Sequence, residues 1–327
     1  MSVKFIKGID NYQTNADKSA VVTIGTFDGI HRGHQEILKR VVKTGEHYNL
    51  ESVLVTFHPH PKVLVNPDHI PLLLTTLEEK RKFIPHFFQG NVLILDFDDN
   101  LKELTAEEFV REILIKKINA KKVIVGYDHA FGKNRSGNID MLKNMGDKYN
   151  FEVEVIGPFM YKEQAISSSR IRKAMLNKQY ENAIKMLGHD YAIYGKVERG
   201  IGLGHRLGYP TANVHYGLRK LLPHEGVYAC WAQIGDEYKE GMMFIGKNHF
   251  NPQERITVEA NLFDFDRDIY GEEIFVYPTH YVRKNQKFKT TDQLVKQIEL
   301  DKENILEIIK KEKSNVNRQR AESSNYL

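Results

Sequence analysis

The apolar positions of the N-terminal half fall in short unbroken runs: Val21–Thr26, Val53–Phe57, Val92–Phe97, Val123–Gly126 and Val153–Ile156. Runs without polar alternation suit strands buried on both faces, as in a parallel sheet covered by helices. They recur at intervals of roughly 30 to 40 residues, room for one crossover helix each. Gly33–Tyr48, Leu77–Phe88, Ala106–Ile118 and Ile139–Tyr149 carry the helical pattern that fills those intervals. The prediction is an α/β doubly wound, Rossmann-like domain with a five-stranded parallel sheet. Ligands of such sheets gather at the carboxyl ends of the strands.

The second half changes period. After helical stretches at Ser169–Asn177 and Tyr180–Leu187, a boundary falls at Gly188–Asp190. Short segments follow with turn residues between them: Tyr191–Glu198, Val227–Ile234, Gly241–Gly246, Thr257–Phe263 and Glu273–Val282. Close spacing without helices predicts a mostly antiparallel β-barrel. One helix, Asp292–Lys310, closes it with Leu294, Ile298 and Ile305 as its apolar stripe. Ser314–Leu327 is polar and aperiodic and is expected to be disordered. The expected domains are therefore residues 1–187 and 188–313, with a tail at 314–327.

Composition narrows the function classes. A chain of 327 residues with 41% hydrophobic and 28% charged positions has material for two globular cores. With 47 basic against 43 acidic residues the net charge is +4, too balanced for a protein that coats nucleic acid. No nucleic-acid partner is expected, although the basic side chains at Lys310–Lys313, Arg318 and Arg320 leave a binding regulator as an alternative. Cys230 is the only cysteine, which excludes an intrachain disulfide and a cysteine-based zinc site. No apolar run approaches the roughly eighteen residues of a membrane span. No signal-like segment follows Met1. A cytoplasmic protein without membrane partners is expected, and the pattern says nothing of oligomeric state.

The end of the first predicted strand carries the first chemistry: Gly25–Thr26–Phe27–Asp28–Gly29–Ile30–His31–Arg32–Gly33–His34. His31 and His34 are three apart, so the first helical turn puts both imidazoles on one side. The free N–H groups and dipole of that turn favour an anion. Gly25, Gly29 and Gly33 remove side chains where a nucleotide would approach the backbone. Surface histidines sharing a turn, or a metal pair, are the competing readings, and no acidic residue joins the pair at ligand spacing.

Other strand ends agree. Ile166–Ser167–Ser168–Ser169–Arg170–Ile171–Arg172 opens a helix with hydroxyls and guanidinium groups, as an ordinary serine cap would also do. Thr56–Phe57–His58–Pro59–His60–Pro61 makes a stiff wall suited to a flat ligand. After the fourth strand, Asp128 can accept from a ribose hydroxyl, while Phe131 fits either the site or the core.

A second motif lies in the barrel half. Gly195–Lys196 precedes Gly200–Ile201–Gly202–Leu203–Gly204–His205–Arg206–Leu207–Gly208–Tyr209–Pro210–Thr211–Ala212–Asn213. Glycines beside basic side chains fold backbone N–H groups around phosphates, or make a plain β-loop. Glu259 stands in Thr257–Val258–Glu259–Ala260–Asn261, where a carboxylate is a base or a solvated face residue.

Taken in order, these segments resemble the bacterial bifunctional riboflavin kinase/FMN adenylyltransferase family, from about Val21 to Asp301. The resemblance implies ATP binding and adenylyl transfer by Gly25, Thr26, Phe27, Asp28, His31, His34, Asp128, Ser168, Ser169 and Arg172. His31, His34 and Arg172 would be catalytic. Phe57, His58, Pro59 and Phe131 would form the flavin wall. In the second half it implies a riboflavin kinase that binds ATP through Gly195, Lys196, Gly202, Gly204, His205, Thr211 and Asn213. There Thr211 and Asn213 would hold Mg2+ with ATP, and Glu259 would be the base. ATP, riboflavin and FMN would be the small-molecule partners, and FMN and FAD the products.

Several positions depart from the family pattern. Ser169 replaces a usual threonine and His129–Ala130 replaces an aromatic and a basic residue. Asn261 replaces a histidine, His205 an arginine or lysine, and Ile245–Phe250 lacks a Pro-Thr pair. A nucleotidyltransferase with another acceptor and a degenerate barrel is the enzymatic alternative, and a non-catalytic flavin or nucleic-acid sensor is the other.

Overall fold

In the computed structural model, residues 2–14, 18–200, 202–247 and 256–324 are described, with backbone alone at Leu203 and beyond Lys311. The chain forms two compact units, Met1–Lys173 with Lys185–Gly188, and Ala174–Ile184 with His189–Leu327.

The first unit is built on a parallel sheet of six strands. They are β1 (Lys4–Lys7), β2 (Ala20–Ile24), β3 (Glu51–His58), β4 (Asn91–Asp96), β5 (Ala120–Gly126) and β6 (Glu152–Ile156), in the order β1-β4-β3-β2-β5-β6. Every residue of central β2 is buried, as its unbroken apolar run requires. The pattern missed β1 because Lys-Phe-Ile-Lys has only two apolar positions. It pairs with β4 (Ile6 opposite Leu93) at the sheet edge, where terminal lysines are tolerated. The helix Arg32–Tyr48 lays Ile37, Leu38 and Val41 inward and ends at Asn49, a left-handed cap with φ of 52°. The second predicted helix is shorter than expected, Leu77–Phe83, because Pro85 lacks the N–H to continue it and a single turn Ile84–His86 follows. Two short strands, β7 (Met160–Tyr161) and β8 (Gln164–Ala165), pair as a hairpin before the helix that begins at Ser168.

The second unit is a closed barrel. Its strands are β9 (Ile193–Glu198), β10 (Ala212–Tyr216), β11 (Gly226–Ile234), β12 (Glu237–Gly246), β13 (Thr257–Leu262) and β14 (Glu273–Arg283), in the order β10-β13-β12-β11-β14-β9. The sequence pattern marked all of these except β10, which lies inside the glycine-rich motif. The closing helix, Thr291–Ser324, packs Ile305 and Ile309 against Ala229 and Phe263. Arg283 at the end of β14 fastens it, donating from Nε and Nη2 to Asp301 at 2.7–3.0 Å. The helix runs through the segment expected to be disordered from Ser314, since no proline or glycine stops it there. Residues 325–327 lie outside the described residues.

Candidate active sites

Strand β2 delivers Gly25 to the mouth of the sheet, and the loop after it is clamped from below. The N–H of Gly25 donates to Val55 O, while Thr56 Oγ1 (3.3 Å) and Lys80 Nζ (2.6 Å) donate to Thr26 O. Phe27 and Ile30, both buried, sit in the left-handed region with φ of 47° and 40°. Such strain persists only where surrounding packing holds it, and it collects at functional loops.

His31 then caps the helix. Its Nδ1 accepts from the His34 N–H at 3.3 Å, so Nε2 carries the ring proton. The two imidazoles stack with centroids 3.6 Å apart at 15°, which realises the shared side that their spacing predicts. Burial, with His31 and Lys80 beside it, holds the His34 pKa well below the ordinary histidine value. Its Nδ1 has no hydrogen-bond partner among the described residues. The first-turn N–H groups of Arg32 and Gly33 have no intrahelical acceptor. A neutral His34 ring and orphan donors at a positive helix end form an anion site.

A cavity of about 640 Å³ opens in front of this turn. Gly25, Thr26, Phe27, His31 and His34 line its floor, and Ser168, Ser169 and Arg172 line it as well. Phe57, Asp128 and Phe131 line it from the ends of β3 and β5. Five residues depart from their expected places. Asp28 is buried and outside the lining, accepting from Leu74 N (3.2 Å), Thr75 N (2.9 Å) and Arg172. It therefore holds Arg172 in place beneath the cavity floor. Gly29 has φ of 85°, and an added Cβ would lie 2.8 Å from Leu74 Cδ1, so it serves packing rather than ligand approach. His58 and Pro59 fall outside the lining, and His60 and Pro61 take their place on the wall. Burial lowers the His60 pKa to about 4. Arg170 donates to Tyr161, Gln164 and Ala165 carbonyls of the hairpin, not to the cavity. Lys80 had no sequence signal, since its partner Thr26 lies 54 residues away.

The barrel has its own cavity, about 990 Å³, lined by Gly202, Gly204, Thr211, Asn213 and Glu259. Register brings the last two together: Asn213 of β10 faces Glu259 of β13. The glycines make room for this pair. A Cβ on Gly200 would lie 2.4 Å from Asn213 Nδ2, and one on Gly204 would lie 2.4 Å from Tyr209 O and 3.3 Å from Thr211 Oγ1. Burial raises the Glu259 pKa, against hydrogen bonds from Thr257 (3.3 Å) and Thr211 that pull it down. Asn261 donates from Nδ2 to Pro210 O at 2.7 Å and so ties β13 to the Pro-Thr-Ala-Asn segment.

Three expected phosphate contacts fall elsewhere. A Cβ on Gly195 would meet His215 O at 2.5 Å, so this glycine lets β9 approach β10. Lys196 beside it is exposed, as is His205, and neither lines the cavity. Of the departures at Ile245–Phe250, Asn248–Phe250 lie outside the described residues. Arg199 and Tyr209, unmarked in the sequence, do line the cavity.

Comparison with known proteins follows the same division. Residues 13–170 match the FAD synthetase family and residues 187–309 the riboflavin kinase family. The chain is similar to the bifunctional riboflavin kinase/FMN adenylyltransferase of Buchnera aphidicola subsp. Schizaphis graminum, at 38% identity over 94% of this chain and 98% of the relative. The protein of that name from Escherichia coli K12 is 34% identical over 91% and 96%. A solved chain described as a macrolide-efflux protein from Streptococcus pneumoniae superposes with a TM-score of 0.80 at 34% identity, covering 93% of this chain and 98% of that one. None of the described helices here is long and apolar enough to cross a membrane.

Proposed function

We propose a division of labour from the premise that the chain belongs to the bifunctional riboflavin kinase/FMN adenylyltransferase family. The protein is an enzyme of FAD biosynthesis: it phosphorylates riboflavin to FMN and adenylylates FMN to FAD with release of pyrophosphate. The residue roles are our own reading.

The sheet unit transfers the adenylyl group. A phosphate oxygen of FMN attacks the ATP α-phosphorus, and the bond to the β-phosphate oxygen breaks. An acceptor that is already an anion needs no base, so the site supplies donors and charge. The Nε2–H of His31, neutral His34, the first-turn N–H groups and Arg172 hold the triphosphate as charge moves to pyrophosphate. Ser168 and Ser169 border the same groove. Asp28 keeps Arg172 aimed, and Asp128 meets a ribose hydroxyl.

The barrel transfers the γ-phosphoryl group to the ribityl hydroxyl of riboflavin. Glu259 accepts the hydroxyl proton as its oxygen bonds to phosphorus and ADP leaves. Desolvation makes the carboxylate a stronger base than an ordinary glutamate, which supports that role. The donor set suits Mg2+: Thr211 and Asn213 offer hard neutral oxygens beside Glu259, and the glycine cradle keeps them clear of Cβ atoms. Magnesium bound with ATP would supply positive charge against the phosphate oxygens. The near-balanced charge supports work on small molecules in the cytoplasm without a nucleic-acid partner.

The observation that carries this reading is the facing pair Asn213–Glu259 in the barrel, set against a stacked histidine pair on the sheet in which His34 is held toward the neutral form. Incubation with riboflavin, ATP and magnesium, followed by chromatography, should give FMN first and FAD second. Failure to form FMN would leave the degenerate-barrel alternative standing.

A further inference from the structure

We propose that Lys80 is a positioning residue for adenylyl transfer, a buried ammonium that acts on the ATP phosphates through the Thr26 peptide and without touching them. This rests on the reading that ATP occupies the sheet-unit cavity.

Lys80 lies on the helix Leu77–Phe83, whose start is fixed by a reciprocal cap: Glu79 N donates to Thr76 Oγ1 at 3.3 Å and Thr76 N to Glu79 Oε2 at 2.8 Å. The residues just before the cap hold the loop after β2. Thr75 Oγ1 accepts from Gly29 N at 2.9 Å, and the N–H groups of Leu74 and Thr75 donate to Asp28. Arg81 reaches solvent, while Lys80 turns inward and is only 8% exposed. Its Nζ donates to Thr26 O, and among the described residues it forms no other side-chain hydrogen bond and no ion pair. Thr26 O already accepts from Thr56 Oγ1, so the carbonyl does not need a charged donor. Asp28, the carboxylate that favours the Lys80 cation, is paired with Arg172. Two cations share one carboxylate, and positive charge is left over beneath the loop. A buried ammonium without an ion pair destabilises a fold, so its retention points to a counter-charge supplied from outside the chain.

The cavity brings that counter-charge within range. Thr26 and Phe27 line it, whereas Lys80 and Thr56, the two donors to the Thr26 oxygen, do not. A trans peptide points its N–H opposite to its carbonyl, so an ammonium on the Thr26 oxygen polarises the Phe27 N–H on the far side. The charge also acts on residues that line the cavity: Lys80 is one of the groups holding His34 and His60 below the ordinary histidine value. A triphosphate at the His31–His34 turn meets this field without displacing any side chain. The field recognises charge and is indifferent to adenine. Its ligands are therefore polyphosphates, ATP on entry and pyrophosphate on departure.

The test compares Lys80→Met and Lys80→Gln with the wild-type full-length protein in steady-state FMN adenylylation, with riboflavin phosphorylation by the same polypeptide as a control for intact protein. Methionine fills the space without charge, and glutamine offers the Thr26 carbonyl a neutral donor. Both should raise the KM for ATP and the inhibition constant of pyrophosphate about tenfold, since both remove the charge. The Tm of unliganded Lys80→Met should equal or exceed that of the wild type, because a buried charge is gone while Thr26 O keeps Thr56. Wild-type constants in Lys80→Gln would make the lysine a plain hydrogen-bond donor and overturn the role of its charge. So would an unchanged KM for ATP in Lys80→Met, a weaker ATP with pyrophosphate inhibition unmoved, or a lowered Tm. If the wild-type protein forms no FAD from supplied FMN and ATP, the reading of the cavity fails instead.

Discussion

The two units serve two phosphate-transfer reactions with opposite chemistry. On the sheet, the helix Arg32–Tyr48 points its N-terminus at the ligand and burial drives His34 toward the neutral form. In the barrel, burial drives Glu259 toward the protonated form. Desolvation disfavours charge in both places. In one it yields a fixed neutral donor, and in the other a carboxylate that binds a proton more readily. The acceptors explain the choice: a phosphate arrives without a proton to lose, and an alcohol does not.

The sharpest way to break that contrast is to remove each chemistry separately. Glu259→Gln should lower FMN formation by about a thousandfold, while FAD still forms from added FMN. His31→Ala with His34→Ala should do the reverse, by roughly a thousandfold. Loss of both reactions from either change, in protein whose circular dichroism is intact, would refute the separation.

A smaller effect probes how the sheet site is held. Arg172→Ala leaves Asp28 buried without its charge partner and should cost about 3 kcal/mol of stability, read as a lowered Tm. Arg172→Met with Asp28→Asn should recover much of that stability and none of the adenylylation. Recovery of adenylylation would reduce Arg172 to scaffolding.

Acidification should separate the units in sign. His34, His58, His60 and His129 of the sheet unit are depressed when folded, His60 and His129 to about 4, so below the ordinary value of 6.5 the unfolded chain takes up protons first. That unit should lose stability as pH falls from 6.5 toward 4. Glu259 is raised when folded, so above 4.5 the folded state binds the extra proton, and its contribution grows as pH falls toward that value. Hydrogen exchange at pH 7 and 5 should quicken at the end of β5 and slow in β13. Kinase activity should fall on acidification with an apparent pKa above 4.5. The mildest test is Gly200→Ala, whose Cβ would displace the Asn213 amide and slow the kinase by about tenfold, with adenylylation unchanged.

Legibility varied with distance along the chain. The His31–His34 pair could be read because three residues of one helical turn fix their geometry. The barrel motif could be read as chemistry but hid a strand, since the metal-site candidate Asn213 lies within β10, Ala212–Tyr216. Asp28, Gly195 and Arg170 sat inside recognisable segments yet make other contacts, and Lys196, His58 and Pro59 lie outside the cavity linings. A motif names residues, and register and packing decide which of them face the ligand.

The sequence by itself determined the alternation of strands and helices, the barrel's close-spaced segments and the two phosphate motifs, because periodicity and turn chemistry act over a few neighbouring residues. Only the tertiary structure decided that Asp28 serves Arg172 144 residues away, that Lys80 clamps Thr26, and that Glu259 faces Asn213 at the barrel cavity. Those outcomes depend on desolvation and on partners brought from distant parts of the chain, and a linear pattern carries neither.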